Sequence, residues 1–185
     1  MTQLPRRKTD RLYRGRVSIP NARYFITLTT RNRQSSMRSK SLKLELLAAM
    51  ETHETDGDVV NECAVIMDDH LHWLFELKGR LSLGRVVAKL KTKAVTEVCW
   101  QRDFYDHRLR PDELIELYGR YIFMNPYRAK LCSVDKLFEG TRFWRPEHFE
   151  FVRSLNGNGG PQPEWLRTEV EHPVEVFVGA RLEVP

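Results

Sequence analysis

Two histidines separated by one residue lie inside DDHLHWLFEL, as His70-Leu71-His72. On an extended strand, residues two apart share a face, with Cα atoms roughly 6.5–7 Å apart. Two imidazoles so placed suit one divalent cation. They equally suit a pair of half-exposed histidines on a sheet surface. No cysteine is near them in sequence, so a closed zinc site of four nitrogen and sulfur ligands is not indicated. Two imidazoles with an oxygen ligand match an open Mg²⁺ or Mn²⁺ site whose shell a substrate phosphate completes.

A second candidate group lies in GRYIFMNPYRAKL, where Tyr121 and Asn125 are four apart and share a helix face. A tyrosine at helical spacing is commonly a core residue with its hydroxyl hydrogen-bonded. Asn125-Pro126 also fits a restarted turn, with Asn as the cap and Pro in the first helical position. Taken with the histidines, however, a helix-borne phenol fits nucleophilic attack on a phosphodiester. The cation would polarise the phosphate and the phenol would become covalently linked to it. Such a link conserves the bond energy, so no ATP site is required, and no Walker A loop is present.

The elements that must hold these groups are readable in outline. Residues 23–30 (RYFITLTT) are β-branched and aromatic and read as a strand. Residues 41–55 read as a helix capped near Ser41, and Asp56-Gly57 as a turn. Residues 59–67 and 70–77 form two strands joined tightly through Asp68-Asp69. The spacing of Leu83, Val86, Val87, Leu90, Ala94 and Val98 predicts a second helix over 82–98, with Arg85, Lys89, Lys91 and Lys93 outward. A short fourth strand is expected within 100–109, and Pro111 opens a third helix to about Met124. This order is that of an α+β, ferredoxin-like (split βαβ) antiparallel sheet, with helices on one face and an additional C-terminal helix carrying the tyrosine. The expected organisation is a basic arm over 1–20, a domain over 21–133, and a partly flexible extension over 134–185 broken by NGNGGPQP.

The chain has 185 residues and a net charge of +5 that hides a strong asymmetry. Residues 1–40 carry 11 Lys and Arg against one acid, residues 41–77 one against nine, and residues 78–110 nine against three. Two basic blocks around an acidic element point to a polyanion, with simple solvation of the arm as the plainer reading. No apolar run approaches the length of a membrane span, and the N-terminus has no apolar core of a secretory signal. Three scattered cysteines make neither a disulfide framework nor a metal motif, so a reducing, cytoplasmic setting is expected.

Four segments, RGRVSIPNARYFITLTTRNR, AVIMDDHLHWLFEL, CWQRDFYDHRLR and RYIFMNPYRAKL, occur in this order over about residues 14 to 133. On them the sequence resembles the single-tyrosine HUH transposases of the insertion-sequence-200-like class, in particular the REP-associated tyrosine transposases. The resemblance implies a ferredoxin-like fold, a nucleoid-associated protein, and single-stranded or hairpin DNA as partner. It implies His70 and His72 as metal ligands and Tyr121 as nucleophile, with Asn125 a further ligand one turn on. The implied product is a 5′-phosphotyrosine and a free 3′-hydroxyl. One departure is Asp68-Asp69, where the family often has Pro in the turn before the histidines. The resemblance leaves monomer and homodimer both open. It also leaves open a domesticated relative that binds such DNA without cutting it, although a pure binder has no need of the full set His70, His72 and Tyr121. Arg14, Arg16, Arg31 and Arg33 flank the first strand and, with Lys89 and Lys93, are candidates for phosphate contacts, with solubility as the alternative. His107 is either a phosphate contact or a structural hydrogen-bonding residue.

Overall fold

The computed structural model describes residues 17–94 and 96–167. Its centre is a hairpin: β2 (Val59–Ile66) turns through Asp68-Asp69 into β3 (His70–Leu77), closed by the Met67 amide donating to the His70 carbonyl at 2.8 Å. β1 (Arg23–Thr29) pairs antiparallel with the other side of β3, in a register that sets Thr27 opposite His72 and Thr29 opposite His70. β4 (Tyr105–Arg108) pairs with β1, and β5 (Thr141–Phe143) with β2, giving the antiparallel order β4-β1-β3-β2-β5.

Strand alternation divides the sheet into two apolar faces. Leu71, Trp73 and Phe75 of β3 join Tyr24, Ile26 and Leu28 of β1 under α1 (Lys40–Thr55) and α2 (Leu83–Lys93). Leu74 and Phe25 point the other way, under α3 (Ile115–Arg128). His70 and His72 have the parity of Leu74 on β3 and therefore share its face. A register shift between Asn61 and Cys63 reverses the alternation of β2. Asn61, fully buried, is satisfied there by donating to the Met50 carbonyl and accepting from Trp73 Nε1, each at 2.9 Å. The expected ferredoxin-like arrangement is present, with α1 and α2 on one face and the tyrosine helix on the other.

Several boundaries differ from expectation for local reasons. α1 is capped by Ser39, whose hydroxyl accepts from the Leu42 amide, rather than near Ser41. α2 ends at Lys93, although Val98 is still buried beyond it. α3 begins at Ile115, not Pro111, because the Glu113 carboxylate turns back to accept from the Arg110 amide (2.7 Å) and to pair with His107 (2.9 Å). It then runs through Asn125 and Pro126 instead of restarting there. Proline is tolerated so close to the end because few backbone bonds remain to be lost.

The segment after α3 is more ordered than its composition suggests. Phe138, Phe149 and Phe151 are buried against α3. Glu116 accepts from the amides of Glu150 (2.8 Å) and Phe151 (3.0 Å), and Glu62 takes His148 at 2.6 Å. Asn156, in the expected flexible break, organises it by accepting from the Gly160 amide (2.9 Å) and donating to the Val134 carbonyl (2.7 Å). Among the described residues, no helix is long and apolar enough to cross a membrane.

Gly119 is where this segment presses on α3. A Cβ there would overlap the ring of Phe149, which is 1% exposed and has no room to retreat. Gly→Ala in a helix ordinarily gains up to about 1 kcal/mol. Overpacking costs about 1–3 kcal/mol, so Gly119→Ala is expected to be a net loss, read as a lower thermal midpoint. A raised midpoint would mean that the C-terminal aromatics do not bear on α3.

His53, 1% exposed, accounts for a second expectation. Burial lowers its imidazole below the ordinary 6.5; a hydrogen bond to Asp58 opposes this and Lys89 adds to it. The unfolded chain thus takes up a proton that the folded one resists, so this group removes stability as pH falls below 6.5. His53→Gln is expected to flatten the decline of unfolding free energy between about pH 7 and pH 5, measured by urea titration. The same slope in both proteins would contradict it.

Candidate active site

His70 and His72 project from β3 with ring centroids 4.9 Å apart and planes at 78°. Each ring is held through Nδ1. His70 Nδ1 is 2.6 Å from Asp69 Oδ1, and His72 Nδ1 is 2.9 Å from Thr27 Oγ1. Asp69 is steadied by Arg33, whose Nη1 lies 3.2 Å from its other oxygen. The hydrogen bond from His70, with help from Arg33, holds the Asp69 carboxyl below the usual carboxylate range. Phe25 stacks on His72 at 5.3 Å and completes the support beneath that ring.

α3 brings Tyr121 to this pair. Its ring lies 5.2 Å from that of His72 and 5.9 Å from that of Phe25, edge-on to both, and the residue is 9% exposed. Asn125 is one turn on and half-buried; its amide nitrogen donates to the Tyr121 carbonyl at 2.7 Å. That leaves Oδ1 as the atom able to act as an oxygen donor. Tyr118 and Tyr105 line the same layer around Phe25, and burial drives both hydroxyls up. Tyr127, held between the Lys136 carbonyl and the Phe138 amide, is pushed up to about 12, mainly by burial.

The residues fit a divalent cation. Fixing one ring nitrogen of a histidine by a carboxylate or hydroxyl orients the other toward a metal, and here both Nε2 atoms are defined in that way. Among the described residues no group of three or more His, Cys, Asp or Glu is assembled, so the donors at hand would be imidazole and amide rather than a thiolate or carboxylate cage. That set suits an open site with room for a substrate oxygen.

Other sequence candidates are placed less centrally. Arg33 reaches the site through Asp69, and Arg31 is exposed in the short 3₁₀ turn Arg31–Arg33 beside it. Lys89 and Lys93 lie on α2, across the sheet from the histidines, and Lys89 is engaged by Asp56 (2.6 Å) and Asp58 (2.5 Å). His107 pairs with buried Glu113 and stacks on Tyr118 at 5.7 Å, a structural tie between β4 and the start of α3. Arg14 and Arg16 lie outside the described residues. Sequence reasoning missed Thr27 and Asp69; the antiparallel register of β1 on β3 is the signal that finds the first, and adjacency to His70 the second.

A family model described as transposase, IS200-like, matches residues 18–112, just over half of the chain. The chain belongs to this family. DNA transposition is the activity that membership supports, and IS200-like transposases are in general metal-dependent. The match spans β1 to β4 with the histidine pair and ends before α3, so Tyr121 and Asn125 lie beyond it. Among solved structures, a REP-associated tyrosine transposase bound to a REP hairpin aligns at 19% identity with a TM-score of 0.53, over 71% of this chain and 76% of that one. That likeness concerns the fold. A putative transposase from Deinococcus radiodurans R1 aligns at 14% identity and a TM-score of 0.43, over 59% of this chain and 94% of the other. No curated protein matches the sequence.

Proposed function

We propose that this IS200-like transposase cleaves and rejoins single-stranded DNA beside a hairpin, with Tyr121 as the nucleophile. The observation that carries the reading is the phenol ring of Tyr121 lying 5.2 Å from that of His72, beneath the one-turn-on Asn125. His70, His72 and Asn125 would hold Mg²⁺ or Mn²⁺. When bound, the cation polarises the scissile phosphate and stabilises its developing charge. The chain's own residues do the rest. Asp69 and Thr27 fix the imidazoles, and α3 presents the phenol. Tyr121 Oη bonds to phosphorus as the bond to the 3′ oxygen breaks; the phenolic proton passes to water and the 3′ oxygen takes one up. A 5′-phosphotyrosine results, which a second 3′-hydroxyl reverses.

The hairpin partner is supported by the relative solved with a REP hairpin and by the basic blocks of the sequence. The experiment is incubation of the full chain with a labelled pool of single strands, each a hairpin with a randomised flank, in Mn²⁺. An SDS-resistant protein–DNA adduct is expected. Tight binding without an adduct in any divalent metal would leave a DNA-binding protein and not an enzyme.

A further inference from the structure

Three bases, Arg38, Lys40 and Lys43, surround the Ser39 cap of α1, and no acid lies in the first turn of that helix. The amino end of a 16-residue helix is itself partly positive, so cations there are opposed and anions favoured. The structure adds a container to this excess of like charge. The start of α1, Asp68 of the β2–β3 turn and the segment that follows α3 enclose an open cleft of about 590 Å³, inside the roughly 300–1,000 Å³ range of small-ligand sites.

The cleft has a balanced floor and an unbalanced rim. Lys43, 3% exposed, forms the floor, with Nζ 3.2 Å from Asp68 Oδ1, 3.7 Å from Glu139 Oε1 and 4.7 Å from the centre of the Phe138 ring. Arg38 Nε lies 3.4 Å from the other Asp68 oxygen, so two cations face two carboxylates. Lys40 and Lys136, both exposed, line the same cleft and make no ion pair with any described residue. Four bases against two acids leave it two charges positive. Leu131 and Leu137, 40% and 43% exposed, line it as well, and a bare inorganic anion has no use for them. The cleft is tied to both elements of the candidate active site. Asp68 adjoins Asp69, which holds His70, and its carbonyl accepts from the Met37 amide at 2.9 Å. Leu131 follows α3, its amide donating at 2.9 Å to the carbonyl of Pro126, the neighbour of Asn125.

We propose that this cleft is a subsite for one unpaired nucleotide of the DNA strand flanking the scissile phosphate. Lys40 and Lys136 neutralise its phosphate, and Leu131 and Leu137 cover a face of its base. Inside a duplex the base faces are stacked on one another, so only an unpaired nucleotide offers both surfaces without the cost of unstacking. Apolar contact with a base face does not distinguish one base from another; the subsite fixes the path of the strand, not its sequence. This rests on the reading of the chain as acting on single-stranded DNA, and it is independent of which side chain cuts.

The test reads fluorescence anisotropy of the full chain in EDTA, so that neither a cation nor an adduct is needed. The probes are a hairpin with a randomised single-stranded flank and the same hairpin with a blunt end. The double variant Lys40→Ala, Lys136→Ala is expected to bind the flanked hairpin about 10-fold more weakly. Its plot of log affinity against log salt should be shallower by about 1, and its thermal midpoint unchanged. Lys78→Ala, just past the end of β3 remote from His70, should change nothing. On the blunt hairpin, and on a flank of neutral methylphosphonates, the double variant should match the unaltered protein. Leu131→Ser should weaken binding of the flanked hairpin and have no effect when the flank is abasic. An unchanged affinity in the double variant, an equal loss on blunt and flanked hairpins, a full loss on the neutral flank, or a serine effect that persists without bases would overturn the assignment. Displacement of the flank by micromolar deoxynucleoside monophosphate would also overturn it, marking a site for a soluble nucleotide. Absence of any adduct in Mn²⁺ would refute the tyrosine chemistry and leave this result standing, whereas equal binding of blunt and flanked hairpins by the unaltered protein would refute the subsite.

Discussion

Phenylalanine at position 121 is expected to leave a protein that folds, binds hairpin-bearing single strands, and forms no covalent adduct. The loss should exceed about 10³-fold, because removing a nucleophile removes the reaction path rather than one stabilising contact. Only one oxygen is deleted. The ring keeps its edge contacts with Phe25 at 5.9 Å and His72 at 5.2 Å, so the core beneath α3 is undisturbed and the thermal midpoint should hardly move. Binding should persist, since affinity for a polyanion comes mainly from phosphate neutralisation spread over many basic groups. Denaturing gels of the labelled pool read the adduct, and filter retention reads the binding. Two other phenols are close enough to act as substitutes, Tyr118 and Tyr105, at 5.6 and 6.4 Å from Phe25. Burial raises both, which makes their phenolates harder to form. An adduct that survives Tyr121→Phe would transfer the role to one of them and remove the basis for placing the chemistry on Tyr121.

How much of this was readable from the sequence follows the range of the interactions involved. HLHWLFEL states its own alternation, so β3 appears with the expected ends and with both histidines on one face. Which residue braces each ring is not local information. Thr27 is 45 residues from His72 and becomes its partner only through strand register. The C-terminal segment failed to show for a related reason. β5 has three residues, too few for a period, and Phe138, Phe149 and Phe151 are scattered through irregular turns whose burial depends on α3 being in place. Pro111 looked like a helix start because nothing nearby reveals that Glu113 is captured by His107 across the β4 turn. The lysines of α2 were identified correctly as an outer face. An amphipathic helix does not disclose which side of the sheet it covers, and here it covers the side away from the histidines.

The second large expectation concerns the histidines proposed to hold the metal, and it separates the chemistry from the fold. His70→Ala should reduce adduct formation by about 10²–10³-fold, the range expected when a site loses the charge stabilisation of its cation. His70 is the better of the two to change. Its side chain is 17% exposed and hydrogen-bonds the neighbouring Asp69, whereas His72, 3% exposed, is packed between Phe25 and Tyr121 and would leave a cavity. Chelation with EDTA should abolish the unaltered protein's activity, and added Mn²⁺ should restore it. Neither treatment should unfold the chain: β3 is paired on both sides and its two faces are covered by separate apolar layers, so the ligands are carried by a sheet that does not depend on the ion. That contrasts with structural metal sites, where binding free energy is folding free energy. DNA affinity should likewise be mostly kept in His70→Ala. If binding and cleavage fell together by the same factor, His70 would be a DNA contact. The His70 imidazole would then face a phosphate directly, with no cation between them.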